Sequence, residues 1–206
     1  MYKYTEQKFS IPELKGISKK AIEEHVKLYA GYVKNANLIN EKIVEYKTDS
    51  EKNAYALGEL QRRFSFEFNG MRNHEYYFKS LEGGAQALGT NSPLRAQIEK
   101  DFADFATNGM SAFDGWLASF KAIALTRGIG WAMLYYDQHT GTLTHAWVDE
   151  QHLGQLNGLQ LVLGLDMWEH SFLFDYVPAD KKKYVEAFFE NLNWSVIEKN
   201  FVEATK

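Results

Sequence analysis

The sequence predicts a mixed α+β fold, in which a long N-terminal antiparallel α-hairpin precedes a C-terminal α/β domain with a small antiparallel sheet. Three patterns predict this fold: two long stretches of helical periodicity, then three short stretches rich in β-forming or apolar residues, then a return to helical periodicity. At about 150 residues per domain, the 206 residues suffice for one large domain or two small ones.

Two long helices are predicted in the first half of the chain. From Ser18 to about Tyr46, apolar residues recur mostly at three- and four-residue steps, which is typical of an amphipathic helix. Thr48 and Glu51 then have the spacing of a capping box, so we expect the second helix to start there and to continue beyond Tyr77. The short connection predicts an antiparallel hairpin.

A glycine-rich stretch, Glu82–Asn91, interrupts the periodicity and predicts a change of domain. We place the hairpin domain at residues 1–88 and the α/β domain at residues 89–206. Ser92 and Pro93 supply a helix cap and a first-turn proline, so the second domain is expected to start with helix.

Three strands are predicted next. Trp131–Tyr136 and Leu143–Val148 are aromatic and β-rich with Gly141 between them, which predicts an antiparallel hairpin. The apolar run Leu159–Leu165 suits a buried strand by its length, although periodicity alone does not exclude helix. Two further helices are predicted to close the chain, Asp180–Asn191 and Trp194–Ala204.

Composition excludes several classes of protein. The 23 Lys and Arg against 27 Asp and Glu leave a net charge of −4, which argues against nucleic acid or an anionic membrane as partner. The chain has no cysteine, so disulfides and thiolate metal sites are excluded and any metal must be held by His, Asp or Glu. No signal-like or membrane-spanning apolar segment is apparent, so we expect a soluble, cytoplasmic protein.

Four residues could meet at a metal. Asp166 and His170 are four positions apart after an apolar run, so both can reach one point. His25 and His74 lie on the inward stripes of the two long helices, where an antiparallel hairpin would bring them to the same level. Both pairs also have an ordinary interpretation: Asp166 and His170 as a surface Asp and a satisfied His, and His25 and His74 as core histidines. Together, three His and one Asp favour Mn or Fe over Ca²⁺ or Mg²⁺.

The other histidines are less compelling candidates. His139 falls in the predicted hairpin turn, and His145 falls on a strand that could face solvent, so both are interpreted as structural.

Four motifs resemble one family. The segment Asp166-Met-Trp-Glu-His170-Ser-Phe is similar to the D-x-W-E-H-[AS]-[FY] signature of the iron/manganese superoxide dismutases. Asn73-His74, Gly130-Trp131-Ala and Asn193-Trp194 resemble further family motifs in the same order, so the likeness covers nearly the whole chain. The resemblance implies a helical hairpin followed by an α/β domain with a three-stranded antiparallel sheet.

The resemblance also implies the activity. Members of the family convert superoxide to dioxygen and hydrogen peroxide while one Mn or Fe ion per subunit cycles between +3 and +2. It implies that the ion is bound at the interface of the two domains by His25, His74, Asp166 and His170.

Residues around the ligands carry the implied metal preference. Gln151 occupies the place of the amide of manganese-type members, whereas Gly70 stands where iron-type members often have Gln. Gly164 also resembles the manganese type, so manganese is the preferred expectation. His is found at the amide position in some members, and a one-residue slip would place His152 there. Tyr32 is the candidate for the channel tyrosine that hydrogen-bonds Gln151.

Tyr29 is the alternative to Tyr32 in that role. The motif tryptophans Trp131 and Trp168 are expected beside the site. A gapless match of the first helix would put Glu24 at the ligand position, and we prefer His25 because it lies on the inner stripe.

The resemblance implies a homodimer as well. In the family, the Glu of the W-E-H motif crosses to the partner subunit, so Glu169 would bond the partner subunit's His170. A cation that often follows the D-Y dipeptide is replaced by Val177 here, and the lysine run 181–183 either steers the anion or is a solvated face.

Two other classes fit parts of the pattern. A non-haem Fe(II) oxygenase uses two His and one carboxylate, but a third His leaves little room for an organic substrate. A metalloprotein of the dismutase fold with a non-dismutase role is the other alternative.

Overall fold

The structure is a computed structural model that describes residues 2–107 and 109–206. The α-helices are α1 (Lys19–Tyr46), α2 (Ala54–Lys79), α3 (Pro93–Asp101), α4 (Ala112–Ala124), α5 (Glu169–Phe172), α6 (Lys181–Asn191) and α7 (Trp194–Ala204). The strands are β1 (Gly130–Asp137), β2 (Thr142–Asp149) and β3 (Gln160–Asp166). Short 3₁₀ helices cover Lys47–Asp49, Ala103–Phe105 and Pro178–Asp180. The predicted α+β class is confirmed.

The two long helices form the expected hairpin, but the second starts later than predicted. α1 begins after Ser18, whose Oγ accepts a hydrogen bond from the Ala21 amide at 3.1 Å. The predicted capping box is wrong, because the hydroxyl of Thr48 donates to the Glu45 carbonyl at 2.8 Å and extends the end of α1. α2 therefore begins only at Ala54.

The sheet has three antiparallel strands in the order β2-β1-β3, as expected. The β1–β2 hairpin turns through Gly141, whose φ of +67° is readily adopted by glycine. β1 is the central strand, and in its pairing with β3 Trp131 lies opposite Asp166. This register brings a motif tryptophan and a candidate metal ligand side by side at one end of the sheet.

Packing places the hairpin against that end of the sheet. α2 contacts β3, α1 contacts α5, and α4 and α7 cover the sheet. The core of β1, from Trp131 to Leu134, is fully buried. Ser92 caps α3 as predicted, since its Oγ accepts from the Arg95 amide at 3.2 Å. Within the described ranges, every helix falls short of the length and apolar character needed to cross a membrane.

Candidate metal centre

The structure brings together four side chains that are far apart in the sequence. His25 comes from the first part of α1, His74 from the last part of α2, Asp166 from the end of β3 and His170 from α5. One potential ligand atom from each lies within 4.8 Å of all the others. His25, His74 and Asp166 are buried, and His170 is nearly so, with 17% of its side chain exposed.

One carboxylate oxygen is the centre of the cluster. Asp166 Oδ2 lies 3.1 Å from His25 Nε2, 3.2 Å from His170 Nε2 and 3.4 Å from His74 Nε2. Three imidazole nitrogens thus converge on one carboxylate, from elements of both halves of the chain. Such convergence in a buried space is costly unless the nitrogens and the oxygen share a partner.

His74 provides the test of whether a metal fits. Its Nδ1 lies 2.6 Å from the Gly70 carbonyl, which can only accept, so Nδ1 carries the proton. Nε2 is then an unprotonated, buried acceptor with no hydrogen-bond partner among residues 2–107 and 109–206, because its 3.4 Å approach to Asp166 brings two acceptors together. A cation satisfies both atoms, and three nitrogens with one oxygen suit Mn or Fe.

The protonation states favour cation binding. Burial, reinforced by repulsion from His25, lowers the pKa of His74 to about 3. Burial likewise lowers the pKa of His25, partly opposed by its hydrogen bond to Asp166. Burial alone would raise the pKa of Asp166, but the imidazoles of His170 and His25 outweigh it and hold this pKa below its usual range. Near neutral pH the site therefore offers two neutral buried imidazoles and a carboxylate.

Neighbouring groups hold the carboxylate in place. Asp166 Oδ1 accepts a hydrogen bond from the backbone amide of Trp168 at 2.8 Å. The backbone carbonyl of Asp166 accepts one from the Tyr184 hydroxyl at 2.9 Å. The Trp168 ring stacks on His170 with 5.8 Å between centroids, and its Nε1 donates to the Glu150 carbonyl at 3.0 Å. Trp168 therefore lies beside the site, as expected.

Gln151 is completely buried next to the cluster, and its amide can point in only one way. The indole Nε1 of Trp131 is a donor only, and it lies 3.0 Å from Gln151 Oε1. Gln151 Nε2 therefore faces the hydroxyl of Tyr32 and donates to it at 3.0 Å. The Asn73 side chain donates to the Gln151 carbonyl at 3.0 Å and ties this loop to α2.

Tyr32 rather than Tyr29 makes the contact with Gln151. The ring of Tyr32 lies 5.0 Å from that of His74. The Tyr29 hydroxyl instead accepts from the Gln7 amide at 2.9 Å and donates to Glu75 at 3.2 Å, so it anchors the N-terminal segment.

The two glycines singled out in the sequence differ in how closely they are packed. A Cβ at Gly70 would lie 2.6 Å from the Tyr32 ring, so any side chain there would displace the tyrosine. A Cβ at Gly164 would meet Trp131 at 3.7 Å, which is ordinary contact. Glu169 begins α5 and is exposed, next to a surface groove that Leu125 and Ile129 also line.

The remaining histidines stay outside the cluster. His139 is exposed in the hairpin turn, and the ring of His145 packs 5.0 Å from that of Phe102 rather than facing solvent. His152 lies edge-on to Phe66, with 5.7 Å between centroids.

Sequence reasoning missed a group of residues on α2 beside Tyr32, namely Arg63, Phe66 and Glu67. Phe66 contacts the rings of Tyr32 and Trp168, at 6.0 and 6.2 Å between centroids. The available signal was helical spacing, because Phe66 precedes Gly70 and His74 by one and two helical turns.

A buried His₃Asp cluster between a helical hairpin and a three-stranded antiparallel sheet defines a class of mononuclear metalloprotein. The family profile described as "Iron/manganese superoxide dismutases, C-terminal domain" matches residues 90–200. The chain is 34% identical to a protein named "Superoxide dismutase [Fe]" from Cupriavidus metallidurans, over 94% of this chain and 93% of that one. It is 33% identical to "Superoxide dismutase [Mn] 1" from Halobacterium salinarum, over 86% and 82% of the two chains. The chain belongs to the iron/manganese superoxide dismutase family.

Proposed function

We propose that this protein is a superoxide dismutase, which converts superoxide to dioxygen and hydrogen peroxide. The observation that carries the proposal is the convergence of three imidazole nitrogens, those of His25 and His74 buried, on Asp166 Oδ2; among the described residues His74 Nε2 has no hydrogen-bond partner. The relatives that share most of this chain's length bear that name with either metal.

One Mn or Fe ion is held by His25, His74, Asp166 and His170. When bound, it supplies one-electron redox chemistry by cycling between +3 and +2. The single carboxylate of Asp166 does not cancel the charge of a di- or trivalent ion, so the loaded site would be net positive, which favours entry of a small anion.

Manganese is the preferred metal in this proposal. The support is the amide of Gln151, which reaches the site from the second half of the chain, together with Gly70, which has no side chain to supply an amide from α2. Hydrogen bonds from such neighbours tune a metal site. Gly164 is consistent with the manganese type.

In the proposed mechanism Tyr32 passes a proton from solvent to the site, and Gln151 orients the tyrosine hydroxyl. Because Gln151 Nε2 donates to the Tyr32 hydroxyl, the hydroxyl's own proton is free to point towards the site. Burial raises the pKa of Tyr32, reinforced by the charges of Asp166 and Glu67, so the phenol stays protonated. Trp131 fixes the amide in this orientation.

We further propose the quaternary and domain organisation. Glu169 bonds the partner subunit's His170 in a homodimer, and the exposed apolar side chains of Ile129 and Leu173 near it support an interface on this face. The hairpin domain covers residues 1–88 and the α/β domain residues 89–206.

Metal removal and reloading test the function. The protein is stripped, samples are loaded separately with Mn or Fe, the metal is quantified, and superoxide disappearance is measured. We expect activity with Mn, whereas full loading without activity for either metal would leave a dismutase fold with another role. Comparable activity with both metals would contradict the manganese preference only.

A histidine pair separates ligand loss from general damage. His74→Ala should abolish metal retention, while His139→Ala, in an exposed turn, should retain the metal as the unmodified protein does. Unchanged metal content in His74→Ala would remove His74 from the ligand set.

A further inference from the structure

An arginine–glutamate pair on α2 lies beside Tyr32, outside the ligand cluster. Arg63 Nε donates to Glu67 Oε1 at 2.9 Å. The carboxylate of Glu67 is buried, with 5% of its side chain exposed, whereas the Arg63 side chain is 46% exposed. The pair is therefore oriented, with its negative end inside the protein and its positive end towards solvent.

Phe66 holds the guanidinium and connects it to the site. The Arg63 guanidinium lies 3.7 Å from the centroid of the Phe66 ring, which is close cation–π contact. The same ring contacts Tyr32, and Tyr32 contacts His74. Arg63 is thus connected to the ligand cluster through the rings of Phe66 and Tyr32, and it lies on the same side of the cluster as Tyr32.

The charges around Tyr32 are mainly negative. The charged groups that act most strongly on its hydroxyl are Asp166, Glu67 and Arg63, and Arg63 is the cation among these three. Without Arg63, an anion approaching along the Tyr32 side would meet the uncompensated carboxylate of Glu67. Charges that line an entrance with low-dielectric walls change the local concentration of a small ion and its rate of entry.

We propose that Arg63 is the cation that guides superoxide to the Tyr32 side of the metal site, and that Phe66 and Glu67 hold it there. This inference rests on the proposed dismutase function. Arg63 touches neither the ligands nor Tyr32 in the described contacts, so its effect is on approach and affinity for a small anion, not on metal retention.

The lysine run that follows Asp180 is a weaker candidate for this task. Lys181 Nζ donates to the Thr126 carbonyl at 3.1 Å, and Lys183 pairs with Asp180 at 3.0 Å. Both cations are therefore engaged by residues outside the cluster around Tyr32.

The test compares Arg63→Gln with Arg62→Gln in the metal-loaded protein. Arg62 is the adjacent residue and pairs with Glu59, with 66% of its side chain exposed, so its variant has the same charge change on the same helix. At ~0.01 M salt, Arg63→Gln should lower kcat/KM for superoxide by about three- to tenfold and raise the Kd of azide, a small monoanion probe followed spectroscopically, by a similar factor. Arg62→Gln should stay within about twofold of the unmodified protein.

Salt supplies the second comparison. At ~1 M salt the Debye length falls to about 3 Å, so the deficit of Arg63→Gln should shrink to within about twofold. Metal content should be the same in all variants. Equal behaviour of the two glutamine variants, or a deficit that persists at high salt, would overturn the guiding role.

Glu67→Gln keeps the proposal testable if Arg63→Gln does not fold. This variant removes the negative charge but keeps an oxygen that can accept from Arg63 Nε, so the cation stays in place and azide should bind severalfold more tightly at low salt; weaker or unchanged binding would contradict the proposal. Arg63→Lys should keep most of the salt-dependent rate. An inactive but loaded unmodified protein would instead overturn the proposed function, while azide binding would still test Arg63.

Discussion

At the scale of single residues, the site depends on which atoms can donate a hydrogen bond. Trp131 Nε1 can only donate and the Gly70 carbonyl can only accept. The first therefore orients the amide of Gln151, and the second sets the tautomer of His74. Two fixed neighbours thus decide where an amide N–H and an imidazole lone pair point.

Replacing Gln151 should separate activity from metal binding. In Gln151→Ala, the hydroxyl of Tyr32 loses its donor and Trp131 loses its acceptor, so activity should fall about 10- to 100-fold while the metal stays bound. Metal analysis and superoxide assays check this, with Gln160→Ala, an exposed glutamine at the start of β3, as the control. Turnover equal to that of the unmodified protein would reject a role for Gln151.

A methyl group at Gly70 should disturb Tyr32. The added Cβ would lie 2.6 Å from the tyrosine ring, so Gly70→Ala must displace the ring from Gln151 and should reduce activity. Gly58→Ala is the control, because nothing lies within 4 Å of its added Cβ. That variant should gain roughly 0.5–1 kcal/mol in the free energy of unfolding. Equal activities of the two variants would show that Tyr32 adapts without cost.

At the scale of elements, the two ends of α1 use hydroxyl groups differently. Ser18 accepts from the amide of Ala21 and caps the start of the helix, whereas Thr48 donates to the Glu45 carbonyl after its end. His25 lies in the second turn of α1, so fraying of the first turn would disturb the position of this ligand.

Alanine at these two positions should have unequal effects. Ser18→Ala removes an N-cap and should cost about 1 kcal/mol in the free energy of unfolding. Thr48→Ala, which also changes an exposed hydroxyl, should cost less than about 0.5 kcal/mol. Urea unfolding of both variants checks the difference, and an equal or larger cost for Thr48→Ala would argue that it caps α2 after all.

At the scale of the whole molecule, the metal-free protein should lose stability as the pH falls. His74 has a pKa of about 3 in the folded protein, against 6.5 for an ordinary histidine, so between these values the unfolded chain binds a proton that the folded chain does not. His25 shifts in the same direction. The free energy of unfolding should therefore fall by about 1.4 kcal/mol per pH unit for His74 in this range, and the lowered pKa of His25 adds to the loss.

Urea unfolding of the metal-free protein at a series of pH values below 6.5 measures this slope. In His74→Gln one titrating group is gone, so the slope should be clearly shallower than in the unmodified protein. A stability that stays constant over this range would contradict the buried neutral histidines.

Formation of the proposed homodimer should depend on Glu169. Light scattering of the unmodified protein is expected to give twice the chain mass of 23.7 kDa. Glu169→Ala should shift the mass towards the monomer and weaken metal retention, because His170 would lose its partner across the interface. Glu41→Ala, an exposed glutamate near the other end of α1, is the control. A monomeric unmodified protein at micromolar concentration would reject the proposed dimer.

Much of the fold could be predicted because its signals are local. Helical periodicity, a serine–proline cap and alternating β-rich stretches each act within a few residues, and α7 and the β1–β2 hairpin lie where these patterns predicted them. The Thr48 capping box failed because its spacing fits two local structures. Contacts with the end of α1 decided between them.

The sequence by itself determined the residue types of the site, because the absence of cysteine and the spacing of Asp166 and His170 leave few other ligand sets. Only the tertiary structure decided which groups meet. His25 and Asp166 are separated by 141 positions, and Tyr32 and Tyr29 lie on the same helix, yet only Tyr32 reaches Gln151. Tertiary packing likewise buries Glu67 and leaves Arg63 exposed, although the two residues are one helical turn apart. Spacing along a chain specifies local structure, whereas burial and the direction of a side chain depend on what packs against it.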